Sequence, residues 1–231
     1  MNIIRTSANN IYNKQDMPAF KGIPISKIRL KNAPVTDEIT IIKLNEKDFS
    51  FLDKMIEKLD LESLYPNLKD YKDFKEWKNT IIGTVLNIKS NTIGILGIRQ
   101  NKPCAIASFA KTSGNRGIYI NHLAAWPTVP GEGTKCGGTA IMREIFDIAK
   151  NENLEKVFLV PKGITPRKKS CVDFYDKIGL KDDSSGYIKE AVKTDSNNIF
   201  SDLCENIDKS LEYKKIHNAQ EVDLNNICNK I

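Results

Sequence analysis

Residues 123–142 read LAAWPTVPGEGTKCGGTAIM, and the fold turns on this stretch. An apolar extended segment ends at Trp126 and Pro127, a glycine-rich loop follows, and from Gly137 onward the apolar positions recur at helical spacing. A strand that turns through glycines into a helix start gathers orphan backbone N–H groups and the positive end of the helix dipole at one point, which attracts phosphate. Gly131, Gly133, Gly137 and Gly138 let the backbone approach a ligand, while Thr134, Lys135 and Thr139 add hydroxyl and ammonium donors. A purely structural turn explains the same glycines equally well. Two nucleotide fingerprints are not met: no Gly-Lys-Ser/Thr completes a P-loop, and Cys136 stands where the third glycine of G-x-G-x-x-G belongs.

Upstream, residues 92–99, 104–110 and 118–126 are three extended segments separated by the turn formers 101–103 and 112–117, a spacing that demands antiparallel hairpins. Further back, residues 38–44 (EITIIKL) read as a β-branched strand. Two helical patterns follow, one through Phe51, Leu52, Met55, Ile56 and Leu59, the other through Phe74, Trp77, Ile81, Ile82 and Val85. Downstream, Ile141, Met142, Ile145, Phe146, Ile148 and Ala149 mark an amphipathic helix ending near Asn151, and residues 157–160 form a short apolar strand expected to be central. A helix over 170–178, closed by Gly179, and a last strand including Tyr187 and Ile188 complete the order β-α-α-β-β-β-α-β-α-β. Three regions are expected: an arm over 1–36, poorly ordered or docked, a domain over 37–194, and an extension over 195–231. In the extension Ile199, Phe200, Leu203, Cys204, Ile207 and Leu211 keep a helical stripe. That stripe is expected to pack on the domain or on a partner, a second copy of the chain among them.

With 40% hydrophobic and 28% charged residues in 231, the composition is that of a soluble globular protein, and no apolar run approaches the ~18 residues a membrane span needs. The polar, Asn-rich start is not a secretory leader. Five widely spaced cysteines without a C-x-x-C pair or a Cys/His cluster predict reduced thiols, a cytoplasmic protein and no metal. A net charge of +6 is spread among interleaved acids and bases. Without aromatic interleaving near Arg167, Lys168 and Lys169, it predicts a solvated surface rather than a nucleic-acid partner.

The element order and two local sequences resemble the GNAT acyltransferase superfamily. Leu123-Ala124-Ala125-Trp126-Pro127, followed by Cys136-Gly137-Gly138-Thr139-Ala140, takes the place of that family's strand end and its R/Q-x-x-G-x-G/A pyrophosphate loop. Downstream, Phe174-Tyr175-Asp176-Lys177-Ile178-Gly179-Leu180 resembles its Phe-Tyr-x-Lys-x-Gly-Phe signature. The likeness covers residues 38–191. It implies an α+β (α/β/α) fold with a mixed, mostly antiparallel central sheet flanked by helices, here with a helical C-terminal extension.

The resemblance further implies transfer of an acetyl or related acyl group from acetyl-CoA (acyl-CoA) to a primary amine by direct attack on the thioester, with no metal. Leu123, Ala124, Ala125, Gly133, Thr134, Lys135, Cys136, Gly137, Gly138, Thr139 and Lys168 are the implied CoA contacts, and the strands ending at Trp126 and Val160 would part to admit pantetheine as an added strand. Tyr175 is the implied general acid for the thiolate, a phenol being protonated at neutral pH. Tyr119, Asn121, His122 and Glu132 are candidates for receiving the amine proton, although strand alternation sets His122 opposite Tyr119 and Asn121 unless a bulge intervenes. Two departures stand out: Gly133 replaces the usual Arg or Gln, and Cys136 the first glycine. They support an alternative, a GNAT-fold binding module with weak or no catalysis. Cys136 and Cys171 have no histidine beside them and read as inert. The acceptor, whether protein, peptide or small molecule, is undecoded: the implied groove, 48–86 and 186–191, carries acids such as Glu57, Asp60, Glu62 and Asp70 that a solvated helix face explains as well.

Overall fold

The computed structural model describes residues 21–44, 49–58, 74–125, 136–161, 166–194 and 197–224. In chain order they form β1 (Lys21–Leu30), β2 (Ile39–Leu44), α1 (Phe49–Lys58), α2 (Phe74–Lys89), β3 (Ile93–Arg99), β4 (Lys102–Lys111) and β5 (Gly117–Ala125). There follow α3 (Gly137–Asn151), β6 (Lys156–Leu159), α4 (Pro166–Lys177), β7 (Lys181–Asp182), β8 (Lys189–Val192), α5 (Ile199–Asp208), β9 (Leu211–Lys215) and β10 (Val222–Asp223). The three central segments pair antiparallel as β3, β4 and β5. The first hairpin turns on Gln100 and Asn101, both at positive φ, rather than on 101–103. Arg99 pairs directly with Lys102, the two-residue loop that matches strand twist.

The sheet has ten strands in the order β10-β1-β2-β3-β4-β5-β6-β8-β7, with β9 also on β1. Among the described residues only β5 and β6 run parallel; every other pairing is antiparallel. This is the mixed, mostly antiparallel sheet with flanking helices that the sequence predicts. One face packs Ile39, Ile41, Ile95, Ala107, Phe109 and Ile118 against α3 and α5; the other packs Ile42, Leu44, Leu96 and Ile106 against α1 and α2. β4 is buried on both faces, which is why CAIASFA reads as an unbroken apolar run without alternation.

The boundaries of the central region need correction at both ends. Residues 21–30, assigned above to an arm, are a full strand between β2 and the C-terminal strands. Its buried positions are Gly22, Pro24, Ser26 and Ile28, divided between the two faces by a register shift between Pro24 and Ser26, so no apolar alternation advertises it. Among the described residues the extension is helical only over α5. Leu211, the last member of the apolar stripe, opens β9, and β9 and β10 divide the outer edge of β1 between Ser26–Leu30 and Lys21–Gly22. The last strand predicted near Tyr187 begins at Lys189, with Tyr187 exposed in the preceding turn. The helix predicted from residue 170 starts at Pro166, where a proline without an N–H fits a first helical turn.

A polar network ties these added strands to α3. Glu144, fully buried, accepts from Ser26 Oγ of β1 at 2.5 Å and from Tyr213 Oη and Lys215 Nζ of β9 at 3.2 Å each. Lys215 also donates to Asp147 at 2.6 Å, and Arg143 grips Asp208 of α5 through two 2.8 Å bonds while lying 3.7 Å over the Tyr213 ring. Each buried charge therefore has a partner, as low-dielectric surroundings require. Burial pushes the Asp147 carboxyl upward, but the Lys215 hydrogen bond and the Lys215 and Arg143 charges outweigh it and hold Asp147 below the ordinary aspartate value.

A group with a depressed folded pKa contributes stability above its unfolded value and loses it as pH falls through the folded one. Lys215→Met is therefore expected to cost on the order of 2 kcal/mol near neutrality, discounted because the ammonium is partly exposed. The deficit should shrink once pH drops below about 4. Urea unfolding of both proteins across pH measures it, and a pH-independent deficit would show that the pair does not act through charge.

Candidate functional site

β5 and β6 stay together for only three residue pairs, Gly117–Tyr119 against Lys156–Phe158. Their last pair brings the Tyr119 and Phe158 rings together, tilted by 39° with centroids 5.2 Å apart. Beyond it β5 continues on β4 as far as Ala125, whereas β6 follows β8 to its end at Leu159. The two strands thus part where parallel pairing would otherwise continue, and from Ile120 onward the β6-facing edge of β5 has no strand beside it among the described residues. A cleft of about 100 Å³ opens at this fork, lined by Thr80, Ile120, Asn121, His122, Leu123, Leu159, Val160 and Tyr175.

The lining depends on a bulge. In the β4–β5 register Ser108 faces His122 and Phe109 faces Ile120, so Asn121 is an extra residue on β5. Ile118 and Ile120 before the bulge, and Leu123 and Ala125 after it, join the core around α3, while Ala124 joins the core around α1 and α2. His122 therefore shares the α2 side with Tyr119, which reverses the alternation expected from an unbroken strand. Its Nδ1 lies 2.6 Å from Asn87 Nδ2 of α2. The ring fills the space over Gly83, where a Cβ would stand 3.2 Å from Nε2. Two buried atoms at the bulge, Asn121 Oδ1 and Ser108 Oγ, have no hydrogen-bond partner among the described residues.

Tyr175 reaches the cleft from α4. The helix ends in a Schellman arrangement in which Leu180 N donates to Tyr175 O and Gly179 N to Asp176 O, both at 3.0 Å. Lys189 of β8 holds Asp176 at 2.6 Å and Asp182 at 2.9 Å, fixing α4 against the sheet edge. Phe174 packs edge-on to Tyr175 with centroids 5.1 Å apart and presses its Cζ toward Gly138, where a Cβ would lie 3.3 Å away. The three candidate catalytic residues Tyr175, Asn121 and His122 thus line one cleft.

The N-terminus of α3 lies beyond the end of β5. Cys136 is its N-cap at φ +73° and makes no side-chain cap bond; the first helical bond runs from Ala140 N to Cys136 O at 2.8 Å. The amides of Gly137, Gly138 and Thr139 consequently have no partner within the helix. Gly137 sits against β4, a Cβ there being 3.1 Å from Cys104 O, so this glycine is required for helix–sheet approach. Burial pushes the Cys136 thiol up to about 11 and the Cys104 thiol up to about 12, which leaves neither as a thiolate nucleophile at neutral pH.

Gly133, Thr134 and Lys135, like Glu132, lie outside the described residues, as do Asp60, Glu62 and Asp70. Lys168 falls on the first turn of α4, with its side chain and those of Arg167 and Cys171 outside the description. Asn87 and Ser108 went unread as site residues, while Leu159 and Val160 were read only as the end of a parting strand and Thr80 only as part of the implied groove 48–86. Thr80, Gly83 and Asn87, at i, i+3 and i+7, do form a small or polar face of α2, a signal that acquires meaning only once that face is known to cover the bulge.

Comparison with protein-family models finds no match, and comparison with curated proteins finds none either. Solved GNAT acetyltransferases match over about two-thirds of the chain at low identity. The PaiA N-acetyltransferase from Thermoplasma acidophilum, in complex with coenzyme A, is 18% identical, covering 67% of this chain and 99% of that one with a TM-score of 0.44. A GNAT-family acetyltransferase from Staphylococcus aureus Mu50 is 17% identical, covering 67% and 98% with a TM-score of 0.43. One from Brucella melitensis in complex with acetyl-CoA is 12% identical, covering 68% and 88% with a TM-score of 0.41. Among the described residues no helix is long and apolar enough to cross a membrane, and no group of three or more His, Cys, Asp or Glu is placed to hold a metal ion.

The contact between Gly138 and Phe174 sets the distance from α3 to α4. Gly138→Val is expected to overpack it by about 1–3 kcal/mol, and Phe174→Leu in the same chain to recover part of that loss. Urea denaturation of the single and double variants measures the coupling; strictly additive effects would show that the two residues do not press on each other.

Proposed function

We propose that this chain is an acyl-CoA-dependent N-acyltransferase that moves an acetyl or related acyl group to a primary amine. The observation that carries the reading is the fork between β5 and β6, past which the edge of β5 has no strand beside it among the described residues, next to a cleft lined by Tyr175, His122 and Asn121. A free strand edge binds an extended amide-bearing arm through its own N–H and C=O groups, as an added strand would. Pantetheine has that character, and β5 from Ile120 to Ala125 would hold it. The amides of Gly137, Gly138 and Thr139, with the dipole of α3 behind them, suit the pyrophosphate. Acyl-CoA supplies the activated thioester.

In the transfer, Asn121, His122 and Thr80 border the space for the amine. The amine nitrogen forms a bond to the thioester carbonyl carbon, the carbon–sulfur bond breaks, and the proton the nitrogen loses must leave through the cleft. Asn121 is a carboxamide and does not titrate, so its part is to accept an N–H; His122 brings to the cleft an imidazole, the side-chain type suited to take up a proton. Backbone N–H groups of 123–125 on that edge of β5 would stabilise the carbonyl oxygen as charge develops. Tyr175 would donate its hydroxyl proton to the departing thiolate, giving the free thiol of CoA, and the proton lost by the amine would restore the phenol, so that the net change is one proton moved from nitrogen to sulfur.

Titration with acetyl-CoA in a calorimeter tests the first requirement, and absence of binding at millimolar ligand would sink the reading. An acetyl-CoA consumption screen across peptides, polyamines and aminoglycosides then identifies the acceptor. With an accepted amine, Tyr175→Phe is expected to lower kcat by roughly a hundredfold while leaving acetyl-CoA affinity in place; undiminished turnover would remove Tyr175 from the acid role. Binding without turnover on any amine would assign the chain to the second reading, a GNAT-fold binding module.

A further inference from the structure

We infer that Asn87 is the positioning residue of His122, selecting which imidazole nitrogen carries the proton in the cleft, and that Gly83 is the seat that admits the ring. The inference rests on the acyl-transfer reading for its catalytic consequence, while the pairing itself stands on geometry. Asn87 and His122 are 35 residues apart in sequence, on α2 and on β5 just past the bulge, and their side chains meet at 2.6 Å. A mid-helix glycine is disfavoured relative to alanine by chain entropy. At Gly83 the missing Cβ leaves room for the imidazole, since a methyl there would stand 3.2 Å from Nε2 and 3.6 Å from Cε1. Thr80, on the same face of α2, lines the cleft beside the ring.

The chemistry follows from what a carboxamide can present. With Nδ2 toward the ring, Asn87 donates to Nδ1 and the neutral imidazole keeps its proton on Nε2. Turned over, its Oδ1 accepts from Nδ1–H, which frees the Nε2 lone pair to take a proton. Asn87 therefore keeps a hydrogen bond to the ring in the neutral and the protonated state, and its orientation sets the site of basicity. Among the described residues the groups facing this pair are Thr80 and Thr84 on α2, Ser108 on β4, Asn121 on β5 and the titratable phenol of Tyr175 on α4.

The chain has two histidines, His122 and His217, so a His217→Gln background leaves a single imidazole to follow by proton NMR. In that background Asn87→Asp places a carboxylate on Nδ1 and is expected to raise the His122 titration by roughly one pH unit or more. The acid limb of kcat/KM should move upward with it. Asn87→Leu, of similar volume but without a donor or acceptor, should lower kcat roughly tenfold or more with acetyl-CoA affinity unchanged. Gly83→Ala should stabilise α2 by helix propensity yet lower kcat. A His122 titration identical in the Asn87→Asp and parent proteins would overturn the pairing. A moved titration with an unmoved rate profile, or Gly83→Ala with full turnover, would overturn its catalytic role. If the parent protein turned over no amine, the acyl-transfer reading would fail by that result, and the NMR titration would still decide the pairing.

Discussion

Backbone hydrogen bonding at the parallel junction of β5 and β6 governs the arrangement of this molecule. Each strand must pair its N–H and C=O groups, and β5 does so on both edges only as far as Tyr119. From there β6 keeps to β8 and β5 keeps to β4, so the fork is wedged open by pairing preferences on its outer sides. The crossover through α3 adds to this, because the helix begins just past the end of β5 and delivers there the first-turn amides that have no partner within the helix. The result is a short stretch of strand edge, a helix N-terminus and a small cleft gathered in one place.

Within that place the side chains are aimed by a single inserted residue. The extra Asn121 turns His122 onto α2 while keeping Leu123 and Ala125 in the core around α3, so one bulge serves packing on one face and chemistry on the other. Two small residues on the helices meet this arrangement from outside: Gly83 makes room for His122, and Gly138 makes room for Phe174, which in turn supports Tyr175. The acid and base candidates are thus held by packing on different elements, the kind of support that fixes side-chain orientation more firmly than surface hydrogen bonds do.

Far from the cleft, α3 is held along its length by the polar network of Arg143, Glu144 and Asp147 with β1, β9 and α5. A buried carboxylate such as Glu144 is tolerable only when Ser26, Tyr213 and Lys215 are all in place. The N- and C-terminal strands are therefore integral to the same unit as the site helix. Phe146 and Phe200 stack at 6.4 Å between α3 and α5 and continue the contact in apolar form.

Local chemistry was enough to read the meander, the amphipathic helices and the closure of α4, because turn residues and periodicity are properties of neighbouring positions. Phe174-Tyr175 and the glycines before α3 pointed to a site by resemblance. What the sequence could not carry were features set by distant partners. β1 hides behind Gly22, Pro24 and Ser26 because its burial comes from Glu144 and β2 rather than from apolar alternation. β10 is two residues long and exists only as a pairing. The side on which His122 falls depends on a register shift against Ser108, and its partner Asn87 on how α2 crosses β5. The residues fixed which chemistry is present; strand register and helix placement decided which of it meets, since hydrogen-bond pairing across a sheet is a relation between segments that neither one states alone.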